Sequence, residues 1–468
     1  MVSDVPWTAS VALADQTSKN NWLSRLDNIT KARLLGLFFL QLCLMEKWLA
    51  LLDACSSVST DSRQIQKDCL YIALKGDNFD GNQYAEQALA AGAKYAIVDN
   101  DAMANEENIF FVPNGLYFLQ ELAHAHRLRF EIPVLGITGS NGKTSTKELV
   151  NCALQTQYNV LCTEGNLNNH IGVPLTLLKI NAQHQIAIIE MGANKPLDID
   201  ELCRIAVPTL GLITNIGKAH LEGFINFEGV LKTKSELYDH VAQNNGGLFV
   251  NADDSILLNA AQQRNITLHT FGAQNGELKG QLQGLDPYVH LSWTSNSYVS
   301  PVLDTQMIGK YNFYNFLAAL RVGTYFAIEP EKLNAALSNY TPTNKRSQVE
   351  KTAKNTLIID CYNANPSSMM SALSSFIEIE HPQKLVILGD MLELGADGPT
   401  EHQKILDFLH SNALNFMTVG PIFKNLNKEG FENAAILREK LLEQDLNACL
   451  ILLKGSRGIA LEQLIDCL

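Results

Sequence analysis

The chain of 468 residues contains no Cys-x-x-Cys pair, no low-complexity tract, no short-period repeat and no surplus of basic residues, and each absence removes a class of answer. Its nine cysteines, Cys43, Cys55, Cys69, Cys152, Cys162, Cys203, Cys361, Cys449 and Cys467, are odd in number and scattered. They read as reduced thiols of a cytosolic protein rather than as zinc ligands or a disulfide framework. Lys plus Arg number 36 against 49 Asp plus Glu, a formal net charge of −13. That balance excludes nucleic acid or anionic lipid held over the whole surface and leaves room only for a local basic pocket. An apolar run from Leu34 to Met45 follows Lys31 and Arg33 and precedes Leu52-Asp53-Ala54-Cys55, superficially a secretory or lipoprotein signal. It falls well short of the roughly 20 residues that span a bilayer, and Asp53 is a poor neighbour for a lipidated cysteine. Residues 1–44 are therefore read as a leader or extension, Met45 as the working start, and no stable membrane insertion is expected.

Hydrophobic residues at 46% and charged residues at 18% supply ample core and no case for wholesale disorder. The length suggests about three domains. From about Leu70, short apolar runs alternate with helix-like stretches, the pattern of α/β domains with largely parallel sheets. A small N-terminal α/β domain over 45–128 has strands at Tyr71–Leu74 and Tyr95–Val98 around a helix near 84–91. A central domain over 129–340, like a P-loop ATPase, has strands near Val134–Thr138, Ile186–Glu190, Leu210–Asn215 and Leu248–Asn251 and a helix at Phe313–Phe326. The segment from about 266 to 308 is more polar and β-like and is assigned no place. A Rossmann-like C-terminal domain over 341–468 has strands at Leu357–Asp360, Leu385–Gly389, Phe416–Val419 and Leu450–Leu453.

The strongest local signal is Gly136-Ile137-Thr138-Gly139-Ser140-Asn141-Gly142-Lys143-Thr144, between an apolar strand and a helix opening at Ser145. Glycines let backbone N–H groups turn toward phosphate oxygens, the helix start adds its dipole, Lys143 a point charge, and Thr144 a hydroxyl for Mg²⁺. The spacing is G-x-x-G-K-T, with Ile137 where the usual loop has its first glycine. Glu190 ends the strand Ile186–Ile189, and His220 follows another strand end in Asn215-Ile216-Gly217-Lys218-Ala219-His220. Carboxyl ends of parallel strands are where ligands bind, so Glu190 is read as reaching a metal and His220 as a ligand or acid–base group. Lys232 and Lys234, by spacing alone, read as a solvated helix face. Asp360-Cys361-Tyr362-Asn363-Ala364-Asn365-Pro366 and Lys454-Gly455-Ser456-Arg457-Gly458 close two further strands and fit a binding crevice, although helix capping by Ser367 or Ser456 would explain part of that pattern.

These residues resemble the Mur ligases, the ATP-dependent amide-forming enzymes of peptidoglycan precursor synthesis, over about residues 56–460. The short phosphate loop, Glu190 in Glu-Met-Gly and His220 in Ala-His-Leu-Glu carry the likeness. Gly165-Asn166-Leu167-Asn168-Asn169-His170-Ile171-Gly172-Val173-Pro174, Tyr362–Pro366, Leu388-Gly389-Asp390-Met391-Leu392-Glu393-Leu394-Gly395 and Lys454–Gly458 look like the branch that adds D-alanyl-D-alanine. The Asp-Asn-Pro-Arg motif of the meso-diaminopimelate branch is absent.

The resemblance implies ATP and two Mg²⁺ ions, with Gly139, Ser140, Asn141, Gly142, Lys143, Thr144 and Ser145 around the phosphates. It implies Asn312 and Asn315 near the adenine and Arg346 near the phosphates. Lys143, Glu190, His220 and Lys234 would be catalytic; Thr144, Glu190, His220 and a carbamylated Lys234 would hold metal. Ser62 and Arg63, in Ser59-Thr60-Asp61-Ser62-Arg63, would receive the uridine end of the substrate. Asn168, Asn169, Asp360, Tyr362, Asn363, Asn365, Lys454 and Arg457 would also meet substrate. The implied reaction joins D-alanyl-D-alanine to UDP-N-acetylmuramoyl-tripeptide through an acyl phosphate, in the cytoplasm, by a monomer. Tyr311 stands where many members have His, and Ile359 where many have Asp. A folylpolyglutamate synthase-like ligase shares the short loop but should lack the paired Tyr-Asn-Ala-Asn-Pro and Lys-Gly-Ser-Arg-Gly motifs. A non-catalytic ATP-binding protein of the same fold would not need Lys143, Thr144, Glu190, His220 and Lys234 all intact.

Overall fold

The computed structural model describes residues 45–468 apart from 106, 218–220, 225, 286 and 343–345, and only the backbone of 221 and 222. The reading of residues 1–44 as a leader lies outside the described residues. Two compact units emerge, one running to Arg129 and one from Phe130 to Leu468.

The first unit is built on a parallel four-stranded sheet in the order Val58–Ser59, Leu70–Ile72, Tyr95–Val98, Ile109–Phe111. Parallel neighbours need a crossover, and the helix Ala85–Ala90 supplies one between the second and third strands, within the stretch expected to be helical. Asn82, fully buried, ties the turn to the sheet: its amide donates to Asp80 and Asp99 at 2.6 and 2.7 Å and accepts from the Asp99 N–H.

In the second unit, six strands run parallel in the order Val160–Cys162, Ile186–Glu190, Val134–Thr138, Leu210–Ile213, Gly247–Asn251, Thr267–Gly272. Four of the six are buried at every position, because helices cover both faces, which is why they read as unbroken apolar runs. The helix Lys143–Leu154 packs Leu149, Val150 and Leu154 into one core with Phe316, Leu317 and Leu320 of the helix Asn312–Tyr325. The stretch left unplaced by sequence extends this sheet. Leu278–Leu285 joins it, then pairs antiparallel with Tyr288–Ser295, which also takes Tyr298–Val299 and Leu303–Ile308.

A separate five-stranded sheet follows, ordered Gln348–Lys351, Thr356–Asp360, Leu450–Lys454, Lys384–Gly389, Phe416–Val419, parallel except for its first strand. The four strands expected there are present. Asp390, fully buried one residue past Gly389, accepts from the Ile422 and Phe423 N–H groups at 2.8 and 2.9 Å and so caps the helix Pro421–Leu426. Among the described residues no helix is long and apolar enough to cross a membrane.

Candidate active site

The carboxyl ends of both large sheets of the second unit open into one cleft of about 890 Å³. On one wall the chain leaves the strand Val134–Thr138, turns through Gly139 and Gly142, and enters its helix at Lys143. Gly139 has φ +143°, and a Cβ there would lie 2.0 Å from the Thr214 hydroxyl. Gly142 has φ +77°, and its Cβ would lie 2.9 Å from Asn315 Oδ1. Only glycine meets both demands. The neighbouring strand end braces the loop. Asn215 accepts from the Ser140 N–H through its carbonyl and from the Asn141 N–H through Oδ1, while the Thr214 hydroxyl donates to the Asn141 carbonyl at 2.6 Å. Thr214 and Asn215 were not singled out in the sequence; their place at the end of a strand beside the loop is the signal that would have found them.

Lys143 lines the cleft and donates from Nζ to the Gly139 carbonyl at 2.7 Å. Burial draws its ammonium down to about 8; the Glu190 carboxylate opposes that pull and the Arg346 guanidinium adds to it. Glu190 is buried at the end of its strand. Its Oε1 accepts from the Thr144 hydroxyl at 3.1 Å and from Asn168 Nδ2 at 2.8 Å, while Oε2 has no hydrogen-bond partner among the described residues. A buried carboxylate oxygen left open beside a threonine hydroxyl suits a hard cation that takes few protein ligands and several phosphate oxygens. Among the described residues no three His, Cys, Asp or Glu side chains cluster into a ready-made metal site.

Lys232 is exposed as expected, but Lys234 is 2% exposed and overturns the solvated-face reading. Residues two apart lie on nearly opposite faces of a helix, so one lysine of the pair had to turn inward. Burial pulls the Lys234 ammonium well below its ordinary value, Lys143 pushes the same way, and Asp198 and Glu236 oppose. Its Nζ stands 5.7 Å from the Phe224 ring centroid. His220 lies outside the described residues.

The opposite wall comes from the C-terminal sheet. Asp360 and Lys454 end adjacent strands and pair at 2.5 Å, Lys454 at 2% exposure. Ile359 points away into the core at 1% exposure, so the departure from Asp at that position removes no carboxylate from the cleft. The Arg346 guanidinium lies 4.0 Å from the Tyr362 ring centroid and that of Arg457 5.5 Å. Asn363 Oδ1 accepts from the next N–H in the chain. Asn365, not Ser367, caps the helix Pro366–Glu378 through a capping box with Ser368; its Nδ2 donates to Asn141 Oδ1 at 2.8 Å, joining the two walls. Ser456 caps nothing through its side chain; its hydroxyl instead accepts from the Leu392 N–H at 2.9 Å.

Ser140, Asn141, Gly142, Ser145, Asn168, Asn169, Asn312, Asn315, Arg346, Asp360, Tyr362, Asn363, Asn365 and Lys454 all line the cleft. Gly139, Thr144 and Lys234 are buried and Arg457 is exposed, and none of the four is among the lining residues. Asn169 Oδ1 is occupied by the Ile171 and Gly172 N–H groups, and the Asn312 and Asn315 amides by each other, Ile308, Ser347 and Thr146. Ser62 and the exposed Arg63, which forks onto Asp61 at 2.9 Å, belong to the first unit and are not among the lining residues.

Three family models match the chain: the Mur ligase family catalytic domain over 55–127, the Mur ligase middle domain over 137–323 and the Mur ligase glutamate ligase domain over 345–456. The UDP-N-acetylmuramoyl-tripeptide--D-alanyl-D-alanine ligase of Bacillus subtilis is 34% identical over 426 residues, 87% of this chain and 92% of that protein. Its Escherichia coli counterpart is 32% identical over 428 residues, 88% and 93%. The crystal structure of MurF from Acinetobacter baumannii superposes with a TM-score of 0.80 at 28% identity, covering 88% of this chain and 92% of that one. A folylpolyglutamate synthase of Mycobacterium tuberculosis shares the fold at a TM-score of 0.59 and 13% identity, over 75% and 94%.

Proposed function

The chain belongs to the Mur ligase family, and from that premise we propose that it is an ATP-dependent amide ligase joining D-alanyl-D-alanine to UDP-N-acetylmuramoyl-tripeptide in peptidoglycan synthesis. The observation that carries the reading is the two-walled cleft. A phosphate loop and an open carboxylate oxygen on Glu190 face the Asp360–Lys454 pair and Tyr362, and Asn365 bonds across to Asn141.

In the proposed reaction a carboxylate oxygen of the tripeptide attacks the γ-phosphorus of ATP and ADP leaves, because a carboxylate must gain a leaving group before an amine can displace it. The dipeptide amine then attacks the acyl carbon, inorganic phosphate departs, and the amine loses a proton as the amide forms. Lys143 would turn its Nζ from the Gly139 carbonyl to the phosphates and offset charge on the transferred group. Thr144 and Glu190, with His220 and Lys234 from the family pattern, would hold Mg²⁺, which neutralises phosphate charge. Two ions are proposed. The depressed ammonium of Lys234 favours the neutral amine, the form that adds carbon dioxide and loses a proton to give the carbamate. Arg346 would stand near the phosphates, and Asn312 and Asn315 would border the adenine as a fixed floor. Lys454, Arg457 and Tyr362 would receive the zwitterionic dipeptide, and Ser62 and Arg63 the uridine end.

We further propose domain boundaries at 45–128, 129–340 and 341–468, a cytoplasmic location and a monomer. The test is phosphate release from ATP and Mg²⁺ with UDP-N-acetylmuramoyl-tripeptide, with and without D-alanyl-D-alanine, while the pentapeptide product is followed by mass. Release that requires both substrates and matches product is the expected outcome. Turnover with another carboxylate and amine pair, and none with this one, contradicts the substrate assignment; turnover with a folate and glutamate moves the chain to the alternative ligase reading.

A further inference from the structure

Two consecutive residues at the start of the helix Asn312–Tyr325 converge on one serine far along the chain. The hydroxyls of Tyr311 and Ser347 share a hydrogen bond of 2.8 Å, and Asn312 Nδ2 donates to the same Ser347 oxygen at 3.2 Å. Ser347 is 2% exposed and holds φ +50°, a backbone region that residues with a side chain rarely enter. The next residue back is Arg346, stacked on Tyr362 at 4.0 Å on the opposite wall. From Asn312 the bonds continue to Asn315 at 2.8 Å and to Thr146 at 3.0 Å, on the helix that the phosphate loop opens.

We propose that Tyr311 is a positioning residue acting through Arg346: its hydroxyl, with the Asn312 amide, pins Ser347 in the left-handed region and thereby fixes the Arg346 guanidinium against Tyr362 between the two walls. A backbone in that region relaxes when its hydrogen bonds are lost, and Arg346, one residue away, swings with it. Arg346 lines the same cleft as Lys143, so its placement bears on the phosphate end of the cleft as well as on Tyr362. The functional half of this inference rests on the ligase reading above; the pin itself does not.

Tyr311→Phe removes one oxygen and keeps the ring. Limited trypsin digestion of the full chain without nucleotide, with cleavage between Arg346 and Ser347 followed by mass, is expected to run at least about threefold faster in Tyr311→Phe and in Ser347→Gly than in the parent. In the ligase assay kcat should fall about tenfold while KM for ATP and for the dipeptide stays within about twofold, and in an Arg346→Ala background Tyr311→Phe should cost less than about twofold more. Equal cleavage of parent and Tyr311→Phe overturns the pin. Faster cleavage with effects that multiply in the Arg346→Ala background overturns the route through Arg346 and leaves only a structural bond. A parent with no ligase turnover contradicts the proposed function, and the digestion then decides the pin alone.

Discussion

The Lys143 ammonium, held near 8 by burial, makes nucleotide binding a proton-uptake reaction. With that value the free enzyme carries the charge in about 90% of molecules at pH 7, about half at pH 8 and about 10% at pH 9. ATP phosphates stabilise the charged form, so the bound lysine titrates at higher pH than the free one. The sign follows: a group whose value rises on binding contributes affinity in full below its free-state value and loses it as pH climbs from there through its bound-state value. ATP should therefore bind about tenfold more weakly at pH 9 than at pH 7, about 1.4 kcal/mol, with uptake of about 0.1 proton at pH 7 and about 0.9 at pH 9. Isothermal titration at pH 7, 8 and 9, each in two buffers of different ionisation enthalpy, reads affinity and proton count together. Flat affinity across this range with uptake below about 0.2 proton at pH 9 would refute the reasoning. Uptake that persists in Lys143→Met would assign it to another group.

Gly142→Ala places a Cβ 2.9 Å from Asn315 Oδ1 on a backbone with φ +77°, so about 1–2 kcal/mol of stability should be lost and ATP affinity should weaken with it; denaturant unfolding and the same titration check this, and an unaffected variant contradicts the loop geometry. Asp390→Ala strips one buried and one partly buried N–H group of their acceptor and should cost about 3 kcal/mol, read in denaturant unfolding, whereas a loss under about 1 kcal/mol would show the cap to be dispensable. For Lys234, labelled bicarbonate should give a carbamate ¹³C signal in the parent and none in Lys234→Ala; its absence from the parent removes the modified lysine from the mechanism.

The sequence made legible those features whose physical cause is local. Strands such as Ile186–Glu190 announced themselves because burial on both faces demands an unbroken apolar run, and the phosphate loop because only glycine tolerates Thr214 and Asn315 at such range. What stayed hidden depends on partners distant in the chain. The antiparallel extension was unplaced because one covered face gives alternation instead of a run: Val289, Leu291 and Trp293 are buried with half-exposed residues between them. By spacing alone Lys234 could not be told from Lys232, and the structure separates them by burying one side of the helix, with Phe224 beside Lys234. Asn365 and Ser367 are both acceptable caps by type, and only the structure chose between them. Asp390 sits in a motif that carried only the family likeness, and the structure makes it an anchor for a helix thirty residues on.

A chain with a formal charge of −13 that binds a triphosphate must confine its attraction to a small place, and the cleft limits even that. Of its cations, Lys195 is exposed, Lys454 is already paired with Asp360, and Arg346 is stacked on Tyr362. Lys143 keeps most of its charge at pH 7 but gives it up as pH rises through about 8. Glu190 adds an open carboxylate oxygen beside the loop, which repels bare phosphate and is relieved by a divalent cation arriving with it. Such a site should discriminate against metal-free nucleotide. Chelation is expected to weaken ATP binding by the parent at least about tenfold, and by Glu190→Gln much less, since the amide keeps an acceptor for Thr144 and Asn168 without the charge. The same variant should lose most turnover while unfolding at the parent's temperature or above, because a buried charge has been removed. If chelation weakens both proteins equally, the open oxygen of Glu190 is not what selects the metal-bound form.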